Sequence, residues 1–381
     1  MRKAIKPLTI IASVAIVLGS LASFALNRAT TSAIPRSKVL QGAKQSQNGD
    51  TNILLLGLDS RRDANGNDLP RKLLDLMHVG SSSSIGGYNT NTMILIHIPA
   101  GGKNAVAVSI PRDDYVAVPG QGMQKIKEAY GLAKYYNELT LIKQGIKNPQ
   151  REQMSRDVGR AATIQTITNL LGVPIDHFAE VNLVGFYDLA NAIGGVQVCL
   201  NKAVNDTKYS GAVFPAGLQT ITGVDALKFV RQRHGLPNGD LDRTHRQQAF
   251  ITGVITKFRT QGIFGDLGKL SALMEVAKKD VVIDSGWDVL GFLPQAKALT
   301  GGHITFHTLP ILGYGMQNGQ SVNLIDTATV KAFVQNLFYP KPVAKSAAAA
   351  TATPSPKPTK INFGLQANGK SVDGSKIPCV N

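Results

Sequence analysis

Three short apolar runs near the start of the chain constrain its fold most: Asn52-Ile53-Leu54-Leu55-Leu56-Gly57, Met93-Ile94-Leu95-Ile96-His97-Ile98 and Ala105-Val106-Ala107-Val108-Ser109-Ile110. Their apolar residues do not alternate with polar ones, so each reads as a strand buried on both faces and in need of cover on both sides. Later segments supply that cover. Helical patterns over Ala161–Leu171 and Val184–Ile193, each followed by glycine, flank a strand at His177–Asn182, and another strand follows at Val196–Leu200. Further helices are expected over Asp242–Arg259, around Leu270, around Trp287 and over Thr327–Phe338, with a strand at His303–Leu309. Strands alternating with helices predict a layered α/β architecture around a largely buried sheet.

Ahead of this core, Arg2, Lys3 and Lys6 precede an uncharged run from Leu8 to Leu26. At about 1.5 Å per residue that run crosses a hydrocarbon layer of roughly 30 Å. Residues 1–26 thus read as a short cytoplasmic tail and a transmembrane signal anchor, with cleavage near Ala22–Ala25 as the alternative. Residues 27–50 read as a polar spacer, 51–345 as the folded domain, and 346–381 as an Ala/Pro/Thr linker with a C-terminal tail. The domain is then expected on the outer side of the cell membrane. A net charge of +16 points to anionic partners, and this placement argues against nucleic acid, leaving acidic lipid and pyrophosphate. Cys199 and Cys379 are the two cysteines; in an oxidising compartment they are expected to pair, the alternative being two isolated thiols.

The chemistry concentrates in Phe229 to Gln248. If residues 229–233 are extended, Arg231 and Arg233 point to one side as a cationic clamp. A Gly/Pro/Asn turn follows, and Asp240, Arg243 and Gln247 then share one face of a helix whose N-terminus adds backbone donors suited to phosphate. The plain alternative is a solvated basic helix start. Arg112, in Ser109-Ile110-Pro111-Arg112-Asp113-Asp114, emerges from a buried strand, where α/β sheets gather ligands. Asp59 emerges likewise beside Ser60 and Arg61 and is either a turn cap or a carboxylate for a hard cation such as Mg²⁺. Nucleophile-elbow and zinc-ligand spacings are absent. His234 and His245 have no acid partner at motif spacing and read as positional.

At these residues the sequence resembles the LytR-CpsA-Psr family of wall glycopolymer transferases, over about Asn52 to Arg259. The resemblance is carried by Gly57-Leu58-Asp59-Ser60-Arg61, Ser109-Ile110-Pro111-Arg112-Asp113, Lys125-Ile126-Lys127-Glu128-Ala129-Tyr130, Gly172-Val173-Pro174-Ile175-Asp176-His177 and the Arg231-to-Gln247 block, whose wording is similar to actinobacterial members. It implies a three-layer α/β/α sandwich with a central mixed sheet and a hydrophobic lipid pocket. It also implies arginines gripping the pyrophosphate of a polyprenyl-pyrophosphate-linked glycan, with peptidoglycan as acceptor. By position, Arg112, Arg231, Arg233, Arg243 and Gln247 match the head-group contacts, supported by Lys125 and Asp240. The expected reaction is attack of the muramic acid 6-hydroxyl on the sugar-side phosphorus, releasing polyprenyl phosphate, with Mg²⁺ at Asp59 and Asn91. Where the family has Arg-Ser-Asp-Thr-Met, this chain has Asn89-Thr90-Asn91-Thr92-Met93, so Asn91 replaces a carboxylate. The competing readings are a lipid-pyrophosphate hydrolase at the same site, and a non-enzymatic envelope regulator or wall-binding module.

Overall fold

The computed structural model describes residues 34–63, 66–80, 87–102, 104–261, 267–289, 291–292, 295, 303–340, 371–373 and 376–381. The apolar run at 8–26, the linker and most of the helix expected around Trp287 lie outside them. In chain order the strands are β1 (Arg36–Ser37), β2 (Thr51–Asp59), β3 (Asn89–Ile98), β4 (Ala105–Ser109), β5 (Tyr115–Val118), β6 (Gly122–Lys125), β7 (His177–Asn182), β8 (Val196–Leu200), β9 (Val204–Asp206), β10 (Ala212–Phe214), β11 (Gly217–Ile221), β12 (Val281–Asp284), β13 (Ile304–Thr308), β14 (Gly313–Gln317), β15 (Gln320–Leu324), β16 (Val372–Asp373) and β17 (Cys379–Val380). The helices are α1 (Arg71–Leu76), α2 (Glu128–Lys143), α3 (Gln150–Leu171), α4 (Leu183–Ala192), α5 (Gly223–Arg231), α6 (Asp240–Thr260), α7 (Leu267–Asp280) and α8 (Thr327–Phe338).

The three apolar runs form the middle of an eight-stranded mixed sheet of order β1-β12-β7-β2-β3-β4-β13-β16. Successive residues go to opposite faces, as strand geometry requires. Leu54, Leu56, Met93, Leu95 and Val108 pack with Ile164 and Ile167 of α3 and with Val330 and Val334 of α8. Ile53, Ile94, Ala105, Ala107 and Phe306 form the other face, against which Ile251 and Ile255 of α6 pack. The result is the expected α/β/α sandwich. Fully burying a side chain such as Leu54 or Leu95 stabilises by about 1.5–3 kcal/mol, so the double-sided strands are the main source of stability.

Beside the sandwich, β8 pairs with β11 and β17 in a small sheet that packs on α6 through Val196, Val198, Ala249, Phe250 and Val380. Cys379 pairs with Cys199 across β17 and β8, and the two form the expected disulfide. Asn381 then lies where its carbonyl accepts from Arg246 Nε of α6.

Two expectations need correction. Residues 34–50 are part of the fold rather than a free spacer: Ile34, Ser37 and Leu40 are buried, β1 pairs with β12, and Ser46 N donates to Asp176 Oδ1 at 2.6 Å. A two-residue edge strand has no periodicity of its own, so only its neighbour reveals it. Residues 229–231 are helical, not extended. Ala226, Phe229 and Val230 bury at i, i+3 and i+4, a helix face that prevails when the segment is read from its start rather than from Phe229. Helix α2 and the hairpins β5–β6 and β14–β15 add to the expected elements.

Candidate active site

Strands β2, β7, β4 and β13 run in one direction, so their C-terminal ends share an edge, and β3 starts there. Asp59 is the last residue of β2, and Arg112 follows β4 by three residues. Between Gly57 and Leu58 the β2–β3 ladder slips: Gly57 pairs with Thr92 and Leu58 with Thr90. Asn91 is therefore the extra residue of a β-bulge, a device that re-aims side chains near sites. Glycine at 57 is needed for this close approach, since a Cβ there would stand 2.8 Å from Thr92 Cβ.

These elements assemble a chain of alternating polar groups. Arg61 Nη1 lies 2.8 Å from Asp59 Oδ1. Asn91 Nδ2 donates to Asp59 Oδ2 at 2.8 Å, and Arg112 Nη1 donates to Asn91 Oδ1 at 2.9 Å. Arg112 Nε is 3.1 Å from Asp240 Oδ1, and Arg243 Nη2 is 2.9 Å from the same carboxylate. Asp240 is the first residue of α6, so Arg243 lies one turn on. Asp113 gathers Lys127 at 2.7 Å, Lys125 at 3.5 Å and Arg112 at 3.5 Å. Burial alone raises the Asp113 carboxyl, but Arg112 and Lys127 outweigh it and hold it below the usual carboxylate range.

The arginine pair reaches the site by packing rather than by strand alternation. Arg231 ends α5, and its Nη1 donates to the carbonyls of Met77 at 3.2 Å and His78 at 3.4 Å. Burial lowers its pKa, with Asp59 opposing and Arg61 reinforcing the shift. Arg233, past the Gln232 cap, is exposed. Gln247 Nε2 donates to Val230 O at 3.4 Å, tying α5 to α6. Arg243 is buried, its Nε has no hydrogen-bond partner, and its pKa falls to about 10, chiefly by burial, with Asp240 opposing and Arg112 and Arg233 adding repulsion. A group of cations that outnumbers its carboxylates and keeps a buried donor unpaired is suited to an anion with several oxygens.

Arg61, Asp113 and Lys127 also belong to this network, beyond the site residues expected from the sequence. The i, i+2 spacing of Lys125 and Lys127 was the available signal. The two histidines stay outside it. His234 stacks on Tyr209 with centroids 3.8 Å apart, and burial lowers the pKa of His245, which lies 3.8 Å from Asp242. Among the described residues no group of three or more His, Cys, Asp or Glu side chains is placed to hold a metal. Asp59 fits a minimal role, since one carboxylate plus phosphate oxygens is a usual Mg²⁺ donor set, but its Oδ1 is ion-paired with Arg61 at 2.8 Å, so Arg61 would have to turn to the substrate for a cation to enter. Asn91 has its oxygen committed to Arg112.

The family model described as the LytR_cpsA_psr family matches residues 19–338. The chain is 44% identical over 291 residues to the cell wall biosynthesis protein LcpA of Corynebacterium glutamicum, a stretch covering 75% of this chain and 55% of that relative, so it spans about half the relative's length. It is 28% identical over 270 residues to the polyisoprenyl-teichoic acid–peptidoglycan teichoic acid transferase TagU of Bacillus licheniformis, covering 70% of this chain and 71% of that protein. The solved structure of B. subtilis TagT shares the fold with a TM-score of 0.51 at 21% identity, covering 80% of this chain and 97% of the other. With the match spanning every strand of the central sheet except β16, and all of the site edge, this chain belongs to the LytR_cpsA_psr family.

Proposed function

We propose that the chain is a membrane-anchored phosphotransferase that moves a glycopolymer from a polyprenyl-pyrophosphate carrier to peptidoglycan. One face of α6 carries the reading. Arg243 and Gln247 lie at its head, and Ile251 and Ile255 continue the same face at intervals of four, toward the partly buried Leu55 and Ile96 of the sheet. A ligand with a polyanionic head and a long apolar tail matches that sequence of groups, and a carrier lying along α6 would place its pyrophosphate among Arg112, Arg231, Arg233 and Arg243. The transferase name of the TagU relative supplies the acceptor class.

In this reading the 6-hydroxyl of a muramic acid attacks the phosphorus attached to the sugar. The bond from that phosphorus to the bridging oxygen breaks, polyprenyl phosphate leaves with the electron pair, and a phosphodiester to the wall forms. The arginines neutralise charge gathering on the equatorial and bridging oxygens. Lys125 and Lys127 orient Asp113 and extend the positive field. Asp240 holds Arg112 and Arg243 in register and is the proposed acceptor of the hydroxyl proton. Asp59 is the side chain that would hold Mg²⁺, which supplies further neutralisation of phosphate charge when bound; Asn91 can join only if Arg112 releases its oxygen to face the substrate.

The test is incubation of the full chain with a radiolabelled polyprenyl-pyrophosphoryl glycan, with and without peptidoglycan. Label appearing on peptidoglycan as a phosphodiester, and absent with Arg112→Ala, is the expected result. Soluble glycan phosphate formed equally without acceptor would replace the transferase by a hydrolase, and an untouched carrier would remove the enzymatic reading.

A further inference from the structure

The α2–α3 hairpin carries an apolar face that the transfer chemistry does not use. Tyr135, Leu139 and Ile142 recur at i, i+4 and i+7 along α2, and they are 55%, 40% and 50% exposed, with Tyr136 beside them at 54%. Lys143 lies on the same side of the helix and Lys147 in the following turn, both exposed. Large apolar side chains held together in water on one helix mark a surface that meets something else.

The hairpin's direction limits what that is. Lys134 Nζ lies 3.0 Å from Glu152, and Gly159 abuts Tyr130, so the helices are antiparallel. Helix α3 leads into the start of β7, at the edge opposite the site. The turn between α2 and α3 therefore projects past the edge that bears Asp59 and Arg112. Tyr135 also lines, with Arg61, Arg62 and Tyr88, a cavity of about 210 Å³ beside Asp59.

The chain enters at that same edge. Strand β1 is parallel to β12, β12 is antiparallel to β7, and β7 is parallel to β2, so Ile34 lies toward the end where β2 finishes. Ser37 Oγ sits 2.6 Å from Asp157 Oδ1 of α3. Between Leu26, the end of the uncharged run, and Ile34 lie only residues 27–33, a reach of at most about 29 Å.

We infer that the exposed face of α2, with Lys143 and Lys147, docks on the anionic surface of the bilayer and sets the site edge against it. The inference rests on the anchored-transferase reading. Tyr135 and Tyr136 present amphipathic rings suited to the headgroup layer, Leu139 and Ile142 enter the acyl boundary, and the lysines meet lipid phosphates. The consequence is functional: the pyrophosphate of a carrier embedded in the bilayer stays at the surface, and docking brings Arg112 and Arg243 to its level.

The test uses the full chain, one copy per lipid nanodisc, with a nitroxide on Leu139→Cys, Ile142→Cys or Lys331→Cys. Lys331 packs beside Gly172 at the far edge and serves as the water-facing control. The nitroxides at 139 and 142 should be relaxed by lipid-dissolved oxygen and shielded from a water-soluble nickel chelate, with the reverse at 331, and replacing anionic by zwitterionic lipid should weaken the difference. Equal access of nickel at all three positions would overturn the docking. Release of the chain from vesicles by alkaline extraction would overturn the anchor beneath it. The pair Leu139→Asp and Ile142→Asp should lower transfer from a long-chain carrier in vesicles at least about fivefold, while leaving transfer from a water-soluble short-chain carrier within about twofold; loss with both carriers counts against the membrane role. Absence of transfer by the unsubstituted chain with either carrier would sink the proposed reaction instead, and the nitroxide result would stand by itself.

Discussion

Asn91 Nδ2 stands 2.8 Å from Asp59 Oδ2 and donates to it, so the amide near the start of β3 bridges to the carboxylate that ends β2. Asn91→Asp would set two carboxylates at that separation, an arrangement that demands a proton or a cation. Without Mg²⁺ the variant should melt below the parent; with millimolar Mg²⁺ its midpoint should rise while the parent's barely moves. Calorimetric scans with and without chelator decide it, and identical responses of the two proteins would remove residue 91 from any cation site.

Arg231 and Arg233 separate structure from substrate. Arg231 is tied to the carbonyls of Met77 and His78, so Arg231→Ala should lose about 1 kcal/mol of stability together with transfer. Exposed Arg233 has no such anchor, and Arg233→Ala should melt with the parent and lower transfer about tenfold or more. Chemical denaturation alongside transfer rates tests the pair; a destabilised but fully active Arg233→Ala would contradict it.

Asp114 is buried and is paired through Oδ1 with Asn323 Nδ2 at 2.9 Å, leaving Oδ2 without a partner. Burial raises its carboxyl well above the usual range. A carboxyl with a raised folded pKa binds its proton more tightly in the native state, so stability is lost as pH rises from the unfolded value toward the folded one. Asp114→Asn should therefore stabilise, and by more at about pH 8 than at about pH 4. A gap between the two proteins that shrinks as pH rises would show the burial argument to be wrong.

The Cys199–Cys379 bond joins a tail to the small sheet across 180 residues of sequence. Cys379→Ser should cost about 2–5 kcal/mol and free the tail for early proteolysis. Peptide mapping of the parent should recover the linked pair, and parent-like protease resistance of the variant would mean that pairing with β8 holds the tail without the bond.

Much of this was legible locally. Runs such as Asn52–Gly57 fix double-sided strands because burial on both faces leaves no polar alternation. The strand at His177–Asn182 and the helix at Thr327–Phe338 likewise follow from short-range pattern. Asp59, Arg112, Asp240 and Arg243 were identifiable as residues, since strand ends and helix starts leave sequence marks, whereas Asn91 came only from the family resemblance. Their connections were not. That Asn91 links Asp59 to Arg112 depends on a bulge opposite Gly57, and that Arg231 comes near Asp59 and Arg233 near Arg243 depends on where the end of α5 packs. The edge strand β1 exists only because β12 lies beside it. Side-chain period and capping act over a few residues and are written in the chain, whereas register slips, edge pairing and the meeting of charges from distant segments are set by which surfaces bury together, and only the tertiary structure decides that.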